Sequence, residues 1–354
     1  MSTPCPDPSP RAAPPRAYWP TDGWRTAAPE DHGVDPAALD RLRAHLDEHY
    51  PHLDSLLVVR NGTLLREDYK GGAGPDDLRN VKSATKSVLS ALIGVALDTG
   101  DLPDIREPIG SFFAGHFASI ADRAKRAITL EDLLTMRSGL EWDEWGGTTI
   151  QMTASPDWVR FVLERPLAHP PGERFSYSTG DTQLLAAALQ QASGMTLLDY
   201  ADLYLFRPLG ITARRWASDP QGVTVGGSEL ALRPRDMAKL GLLYLSQGRW
   251  EGSQIIPADW ARVSTEPHLT VVPKDASGRP PLCYGYLWWL RPQERLGSFI
   301  AVGHGGQFIY VLPALDLAVV MTGDLKTAPE IFNDNRMIRE FNAVEEFIVP
   351  AVQS

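Results

Sequence analysis

The chain has 354 residues, of which 43% are hydrophobic and 22% are charged, and its formal net charge is -10 at pH 7. These values are typical of a globular protein with a large core, arranged as roughly two domains or as one domain with a sizeable insertion. The acidic balance argues against a nucleic-acid partner and against an anionic membrane surface, and no apolar run approaches the ~20 residues of a membrane span.

The N-terminal segment differs in composition from the rest of the chain. Seven of its first 20 residues are proline, and it contains no apolar segment of the kind found in signal peptides. We therefore predict a disordered, proline-rich lead-in over residues 1–24. The only two cysteines are Cys5 and Cys283, so a disulfide framework is not expected and a cytoplasmic location is the default.

The first regular elements follow this lead-in. Residues 35–50 place leucines at helical intervals behind an Asp-Pro start, which predicts a helix. Residues 54–69 form two β-rich runs joined by Asn61 and Gly62, the strongest short signal for a hairpin. An apolar stripe within residues 81–97 then predicts a core helix with little surface left for water.

The rest of the chain is helical first and then β-rich. Helices are predicted over 129–136, 156–164, 179–192, 196–205, 233–248 and roughly 328–347. Strands are predicted over 284–290, 298–303, 307–312 and 316–323. Strands near both ends with helices between them predict an α/β (α+β) fold, in which an antiparallel sheet is flanked by helices. We assign residues 25–100 and 266–354 to a discontinuous sheet domain, and residues 101–265 to a mainly helical domain.

A serine and a lysine stand at the start of the core helix. Ser83 and Lys86 are three residues apart, so their side chains are neighbours on a helix, and the first-turn N–H groups favour an anion that forms there. A lysine at a core position is unusual unless it has a role, so the pair predicts an activated nucleophile. The alternative is a lysine whose charged end simply reaches out to solvent at the helix end.

Two further segments carry candidate chemistry. Tyr177 precedes the helix predicted from residue 179, which would place its phenol at a helix end beside a cleft. His304, Gly305 and Gly306 open a predicted strand, and the bare glycine backbone would let N–H groups approach a ligand closely. The alternatives are a buried tyrosine bonded to backbone and a β-bulge or edge turn.

Taken together and in this order, these motifs resemble the class C β-lactamase-like serine hydrolases. The resemblance covers residues 25–345 and rests on five segments: SATK at 83–86, ITLEDLLTMRSGL at 128–140, PGERFSYSTGDTQLL at 171–185, GGSELALRPRDMAKLGLLYL at 226–245 and GHGGQ at 303–307. The family includes penicillin-binding D,D-peptidases and esterases, and the last motifs look most like its 6-aminohexanoate-dimer hydrolase branch.

The resemblance implies a role for each matching residue. Ser83 would be the acylated nucleophile, Lys86 would lower its proton affinity, and Tyr177 would pass a proton to the leaving group. The backbone N–H groups of Ser83 and Gln307 would form the oxyanion hole. We expect burial to depress the pKa of Lys86 and the nearby cation to depress that of Tyr177. Which of the two side chains is the base stays open.

This sequence departs from the β-lactamase and peptidase pattern at two positions. Thr179 stands where those enzymes usually carry the asparagine of Y-x-N, so an amide that both donates and accepts is lost. His304, Gly305 and Gly306 stand where they often carry K-T-G, so a fixed cation is replaced by a side chain that is mostly neutral at pH 7. Both changes put recognition of β-lactams in doubt.

The remaining substrate-binding candidates lie in or near a tryptophan-rich acidic loop. Trp142 and Trp145 would wall a pocket for an apolar acyl chain, and Asp181 or acidic residues of the loop would attract an amine. The alternative is a solvated loop held by one buried tryptophan.

We therefore predict a serine hydrolase that cleaves a small-molecule amide or ester, with no metal and no cofactor. A β-lactamase or D,D-peptidase, an acyltransferase, and a homologue that binds ligands without turnover are the rivals. The oligomeric state cannot be read from the sequence.

Overall fold

The computed structural model describes residues 16–274, 280–292, 296–328 and 342–352. The helices are α1 (Pro36–His49), α2 (Thr85–Thr99), α3 (Leu130–Leu134), α4 (Thr148–Ala154), α5 (Trp158–Glu164), α6 (Thr179–Ser193), α7 (Leu197–Ala201), α8 (Pro234–Leu245) and α9 (Ala258–Val263). The strands are β1 (Leu53–Arg60), β2 (Thr63–Tyr69), β3 (Arg79–Asn80), β4 (Arg214–Trp216), β5 (Leu230–Leu232), β6 (Arg249–Trp250), β7 (Ser253–Gln254), β8 (Leu269–Val272), β9 (Leu282–Tyr284), β10 (Trp289–Arg291), β11 (Ser298–Gly303), β12 (Gln307–Leu312) and β13 (Leu317–Gly323).

An antiparallel sheet of eight strands, in the order β2-β1-β13-β12-β11-β10-β9-β8, dominates the fold. The hairpin predicted at Asn61 and Gly62 joins β1 to β2, and both turn residues have positive φ angles of 52° and 77°. An Asn-Gly pair tolerates this geometry, and such turns follow the natural twist of the two strands. Strands from both ends of the chain meet where β1 pairs with β13. The predicted α/β (α+β) class with an antiparallel sheet flanked by helices is confirmed.

Two buried helices pack against this sheet. Helix α8 packs on β1, β12 and β13. Helix α2 contacts α6, α9 and β11 and is buried from Thr85 to Ala96, as its apolar stripe predicts. The start of α2 therefore lies where the sheet meets the helical region.

The N-terminal segment is more ordered than the sequence predicts. Arg16 forms a bidentate ion pair with Asp316, at 3.1 and 2.5 Å, and its Nε donates to Ser246 Oγ. Trp24 donates to the carbonyl of Arg235. The predicted disordered lead-in over residues 1–24 is therefore wrong for residues 16–24, which buried polar contacts hold against the fold. Residues 1–15 lie outside the described residues.

Other differences are local. The strand predicted over 284–290 is interrupted, because Leu287 adopts a positive φ of 62° between β9 and β10. The helix predicted over 328–347 lies partly outside the described residues, and 342–347 are helical. Cys283 on β9 is disulfide-bonded, which we did not expect from the sequence. Among the described residues, no helix has the length and apolar character needed to cross a membrane. The division into two domains stays a prediction.

Candidate active site

Ser83 sits on a short 3-10 turn, Lys82–Ala84, that joins β3 to α2. Lys82 adopts a left-handed φ of 49°, and its N–H donates to the Asn80 side chain at 3.0 Å. The end of β11 lies against this turn, because a Cβ added at Gly303 would come within 2.1 Å of the Val81 carbonyl oxygen. The turn thus holds Ser83 between the sheet and α2.

Lys86 lies one turn further along and is only 1% exposed. Its Nζ is 3.2 Å from Ser83 Oγ, 3.1 Å from Thr179 Oγ1 and 2.8 Å from the Gly227 carbonyl oxygen. The lysine does not reach solvent at the helix end, so the alternative interpretation of Lys86 is wrong. A buried amine that touches a serine hydroxyl is the arrangement that activates a nucleophile.

Tyr177 contacts Ser83 from the segment that precedes α6. It precedes the N-cap Ser178, whose Oγ accepts the Asp181 N–H and begins α6. Its phenol hydrogen-bonds with Ser83, and the centre of its ring is 5.1 Å from Lys86 Nζ. Ser83, Lys86 and Tyr177 therefore converge, although 94 residues separate the first from the last.

Burial moves the pKa values of these two side chains in opposite directions. It lowers the pKa of Lys86 to about 8, against the negative charge of Glu144, which raises it. It raises the pKa of Tyr177 well above the ordinary value of 10, although the hydrogen bond with Ser83 opposes this. The expectation that the pKa of Tyr177 falls is therefore wrong, because desolvation of the phenolate, reinforced by the negative charge of Glu144, outweighs the hydrogen bond with Ser83.

A cavity of about 390 Å³ opens beside Ser83. Its apolar wall consists of Trp145, Phe175, Tyr177, Val271, Trp289 and Val302. Its polar wall consists of Lys82, Ser83, Glu144, Thr149, Thr179, Ser228 and His304. The Tyr177 ring stacks on Trp289 at 5.7 Å between centroids, and Trp145, 61% exposed, forms the rim. Aromatic walls with few polar groups are typical of small-molecule sites.

Two predicted substrate-binding residues lie behind this cavity and not on its wall. The Trp142 ring covers Gly180, and its Nε1 donates to Glu144 at 2.6 Å. Asp181 is 1% exposed and accepts a hydrogen bond from Ser138 Oγ at 2.8 Å. Neither side chain is open to a substrate, so the predicted contacts of Trp142 with an acyl chain and of Asp181 with an amine are wrong.

The turn between β11 and β12 holds further predicted site residues. His304 lines the cavity, whereas Gly305, Gly306 and Gln307 are not among its lining residues. A Cβ at Gly306 would come within 2.1 Å of Leu53, so packing explains that glycine. The Gln307 side chain donates to the carbonyl of Gly305 at 3.2 Å, and the residue pairs with Gly303 across the hairpin. This hydrogen bond concerns the Gln307 side chain, so ligand contact by Gly305 and Gly306 and an oxyanion-hole N–H from Gln307 stay predictions.

Several wall residues were not selected from the sequence. Lys82 directly precedes Ser83, Phe175 is two residues before Tyr177, and Ser228 follows Gly226 and Gly227. Their proximity to the motifs was a usable signal. For Trp289 the sequence signal was ambiguous, since Trp288 and Trp289 alternate across a strand and the sequence does not say which of them faces the site.

The buried carboxyl of Asp181 leads to a prediction about stability. Burial raises its pKa to about 7 from 3.8, and its Oδ2 has no hydrogen-bond partner. A carboxyl that binds its proton more tightly when folded stabilises the protein below the unfolded pKa, and this contribution is lost as the pH rises to the folded pKa. Asp181→Asn should therefore gain stability relative to wild type between pH 4 and pH 8, by up to about 4 kcal/mol.

Urea unfolding of both proteins at several pH values measures this difference. Asp219→Asn is a matched control, because Asp219 is also buried but accepts hydrogen bonds from Gln183 and from two backbone N–H groups. That variant should be destabilised, because these donors lose their carboxylate acceptor. A difference between Asp181→Asn and wild type that stays constant with pH would contradict the prediction.

With this geometry in place, the chain was compared with known proteins. A family model described as Beta-lactamase matches residues 52–342. The sequence is 24% identical over 284 residues to 6-aminohexanoate-dimer hydrolase from Paenarthrobacter ureafaciens, covering 75% of this chain and 71% of that protein. It is 23% identical over 308 residues to D-alanyl-D-alanine-carboxypeptidase/endopeptidase AmpH from Escherichia coli (strain K12), covering 78% and 79%.

A solved structure from Bacillus anthracis, for which a 6-aminohexanoate-dimer hydrolase activity has been proposed, superposes with a TM-score of 0.73. The match is 20% identical in sequence and covers 97% of this chain and 89% of the other. At this identity the superposition shows a shared fold.

Proposed function

The chain belongs to the Beta-lactamase family, and we propose that it is a serine hydrolase that cleaves an amide or ester through an acyl-enzyme at Ser83. One observation carries the proposal: Ser83 Oγ is 3.2 Å from the buried amine of Lys86 and forms a hydrogen bond with the Tyr177 phenol, at the wall of a cavity lined by aromatic side chains. A nucleophile, a base and a second proton handler are the parts that acyl transfer requires.

In the first half-reaction, Ser83 Oγ forms a bond to the substrate carbonyl carbon and its proton passes to the neutral amine of Lys86. A pKa of about 8 leaves part of Lys86 neutral near pH 7, whereas Tyr177 stays a phenol. We therefore assign the base to Lys86. The carbonyl oxygen gains the negative charge, which the Ser83 N–H and the Gln307 N–H would stabilise as the two donors of the oxyanion hole.

The intermediate collapses when the bond to the leaving nitrogen or oxygen breaks. Tyr177 gives its phenol proton to the leaving group and takes the extra proton from Lys86, so charge and protons balance. Water then attacks the carbonyl carbon of the Ser83 ester and gives one proton to Lys86. The bond from that carbon to Ser83 Oγ breaks, Oγ takes the proton from Lys86, and the acid leaves with the oxygen and the other proton of the water.

The relatives narrow the substrate to two candidate classes. The similarity to a 6-aminohexanoate-dimer hydrolase favours linear amides, together with esters of short apolar acids that fit a cavity of about 390 Å³. The similarity to a D-alanyl-D-alanine-carboxypeptidase keeps peptidase or β-lactamase activity as the second candidate. Transfer of the acyl group to an alcohol or amine uses the same residues and differs only in access of water.

Labelling with a fluorophosphonate, followed by intact-mass measurement and peptide mapping, tests the proposal. We expect one adduct at Ser83. The labelled protein is then compared in activity with the free one on p-nitrophenyl esters, linear amides and nitrocefin. An adduct on another serine would overturn the assignment, and the absence of both labelling and turnover would favour a homologue that only binds ligands.

We predict that p-nitrophenyl esters of short acids are better substrates than nitrocefin. A β-lactam carries a carboxylate, and the Glu144 carboxylate on the cavity wall opposes it. The cation beside the nucleophile, Lys82, is already paired with Glu229 at 3.2 Å. One missing charge-assisted hydrogen bond costs about 1.5–3 kcal/mol, or roughly one to two powers of ten in kcat/KM. A value for nitrocefin equal to that for the best ester would favour the β-lactamase alternative.

A further inference from the structure

The hydroxyl of Thr179 lies between the base and a carboxylate. Its Oγ1 is 3.1 Å from Lys86 Nζ on one side and 2.6 Å from Glu144 Oε1 on the other. The second oxygen of Glu144 accepts the backbone N–H of Thr179 at 2.9 Å and the indole N–H of Trp142 at 2.6 Å. Both carboxylate oxygens are thus occupied, and Glu144 is held by groups of the protein.

This arrangement fixes the direction of each hydrogen bond. An ionised carboxylate only accepts, so the single hydroxyl hydrogen of Thr179 must point to Glu144. Thr179 Oγ1 can then only accept from Lys86. The Gly227 carbonyl oxygen, 2.8 Å from Nζ, also only accepts. A side chain at position 227 would disturb this contact, because a Cβ there would lie 3.0 Å from Nζ.

The consequence follows from the valence of the amine. A neutral amine has two hydrogens and one lone pair, and the two acceptors Thr179 and Gly227 take both hydrogens. The third neighbour of Nζ is Ser83 Oγ, at 3.2 Å. Resting on the function proposed above, we propose that Glu144 and Thr179 are positioning residues that orient the lone pair of neutral Lys86 toward the Ser83 hydroxyl.

The hydrogen bond from Thr179 to Glu144 thus compensates for the absence of the asparagine that β-lactamases and peptidases usually carry at position 179. An amide at position 179 could present either its oxygen or its nitrogen to Lys86, whereas a threonine anchored on Glu144 presents only an acceptor. Replacement of Glu144 by a neutral amide would free the hydroxyl to rotate and donate to the lone pair, which would remove the base from Ser83.

Glu144 also contributes charge, so the proposal makes a statement about pH. The charged and titratable groups nearest Lys86 are the Tyr177 phenol before α6 and Glu144 on the loop before α4. Lys82 on the Ser83 turn and His304 after β11 line the cavity, and Asp181 is buried in α6. The charge of Glu144 raises the pKa of Lys86. Its removal should lower that pKa and move the acid limb of the kcat/KM profile to lower pH.

Three variants test these two effects separately with a p-nitrophenyl ester over pH 5 to 9. Glu144→Gln should lower the plateau of kcat/KM by roughly 10–100-fold and shift the acid limb to lower pH. Thr179→Val breaks the chain of hydrogen bonds but keeps the carboxylate, so it should lower the plateau similarly, mainly through kcat, with a smaller shift. Thr179→Ser keeps the hydroxyl and should lose about threefold or less.

Glu141→Gln is the matched control, since Glu141 belongs to the same loop, does not line the cavity and pairs with Arg165 at 3.3 Å. Its profile should match that of wild type. Circular dichroism establishes that each variant is folded, and if Thr179→Val is not, the comparison of Glu144→Gln with Thr179→Ser decides.

The outcomes separate this inference from the proposed function. If wild type is not acylated at Ser83, the proposed function fails. If wild type is acylated and folded Glu144→Gln keeps both the plateau and the acid limb, the positioning role of Glu144 and Thr179 is overturned while the hydrolase survives. A purely structural role would lower thermal stability without moving the acid limb.

Discussion

Replacement of Ser83 by alanine is expected to abolish fluorophosphonate labelling and to lower ester and amide hydrolysis by roughly 10⁵–10⁶-fold, the usual effect of removing a serine nucleophile. Lys86 and Tyr177 both act on the oxygen that this variant lacks, so they cannot compensate. Folding should persist, because one hydrogen bond between Lys86 and Ser83 is worth about 1 kcal/mol. Intact mass measures the labelling, thermal unfolding measures the stability, and kcat/KM measures the hydrolysis.

Ser87 provides the matched control on the same helix. Its Oγ donates to the carbonyl of Leu287 at 2.8 Å, and it does not line the cavity. Ser87→Ala should therefore lose some stability and keep its labelling and activity. Substantial hydrolysis by Ser83→Ala, or loss of labelling in folded Ser87→Ala, would contradict the assignment of the nucleophile.

The parts of the fold that the sequence predicts best are those in which local signals agree with the tertiary structure. Asn61 and Gly62 define their turn through φ angles that few other pairs adopt, and the strands at 298–303 and 307–312 were predicted with the observed bounds. The misses have non-local causes. Arg16 and Trp24 are ordered by partners more than 200 residues away, which proline content near the terminus does not reveal.

The residues proposed as catalytic were predictable for a different reason than their surroundings. Ser83, Lys86 and Tyr177 lie in short motifs whose order is distinctive. The contact between Glu144 and Thr179 spans 35 residues and depends on how a loop folds over the start of α6, so no spacing rule indicates it. The structure places His304 on the cavity wall, and a glycine-rich turn does not indicate from its sequence which of its residues faces a cavity.

The direction of the pKa shift of Tyr177 needed the structure as well. The motifs predict that a lysine and a tyrosine belong to one site, and charge alone predicts that the cation of Lys86 lowers the pKa of Tyr177. Burial reverses this for the phenol, because desolvation and the negative charge of Glu144 raise the pKa of Tyr177 more than the hydrogen bond with Ser83 lowers it. Tyr177 therefore stays protonated at neutral pH, which favours the proposed role of proton donor and changes what its removal should do.

Replacement of Tyr177 by phenylalanine is expected to lower kcat/KM for linear amides by roughly 10²–10⁴-fold, the usual share of general acid–base catalysis. For p-nitrophenyl esters the loss should be about tenfold or less, because p-nitrophenolate departs without a proton and Lys86 still activates Ser83. The phenyl ring keeps the stacking on Trp289, so the cavity wall should be preserved. Since kcat/KM reports the steps up to release of the leaving group, the comparison isolates proton donation.

Tyr284→Phe is the control for this experiment. The Tyr284 ring meets Tyr177 edge-on at 6.4 Å but does not line the cavity, so its loss should leave both substrates nearly unaffected. If Tyr177 were the base that activates Ser83, its replacement would slow esters and amides equally, because both begin with the same proton removal. Equal losses on the two substrates would therefore transfer the role of base from Lys86 to Tyr177, and a negligible loss on amides would leave Tyr177 as a packing residue of the aromatic wall.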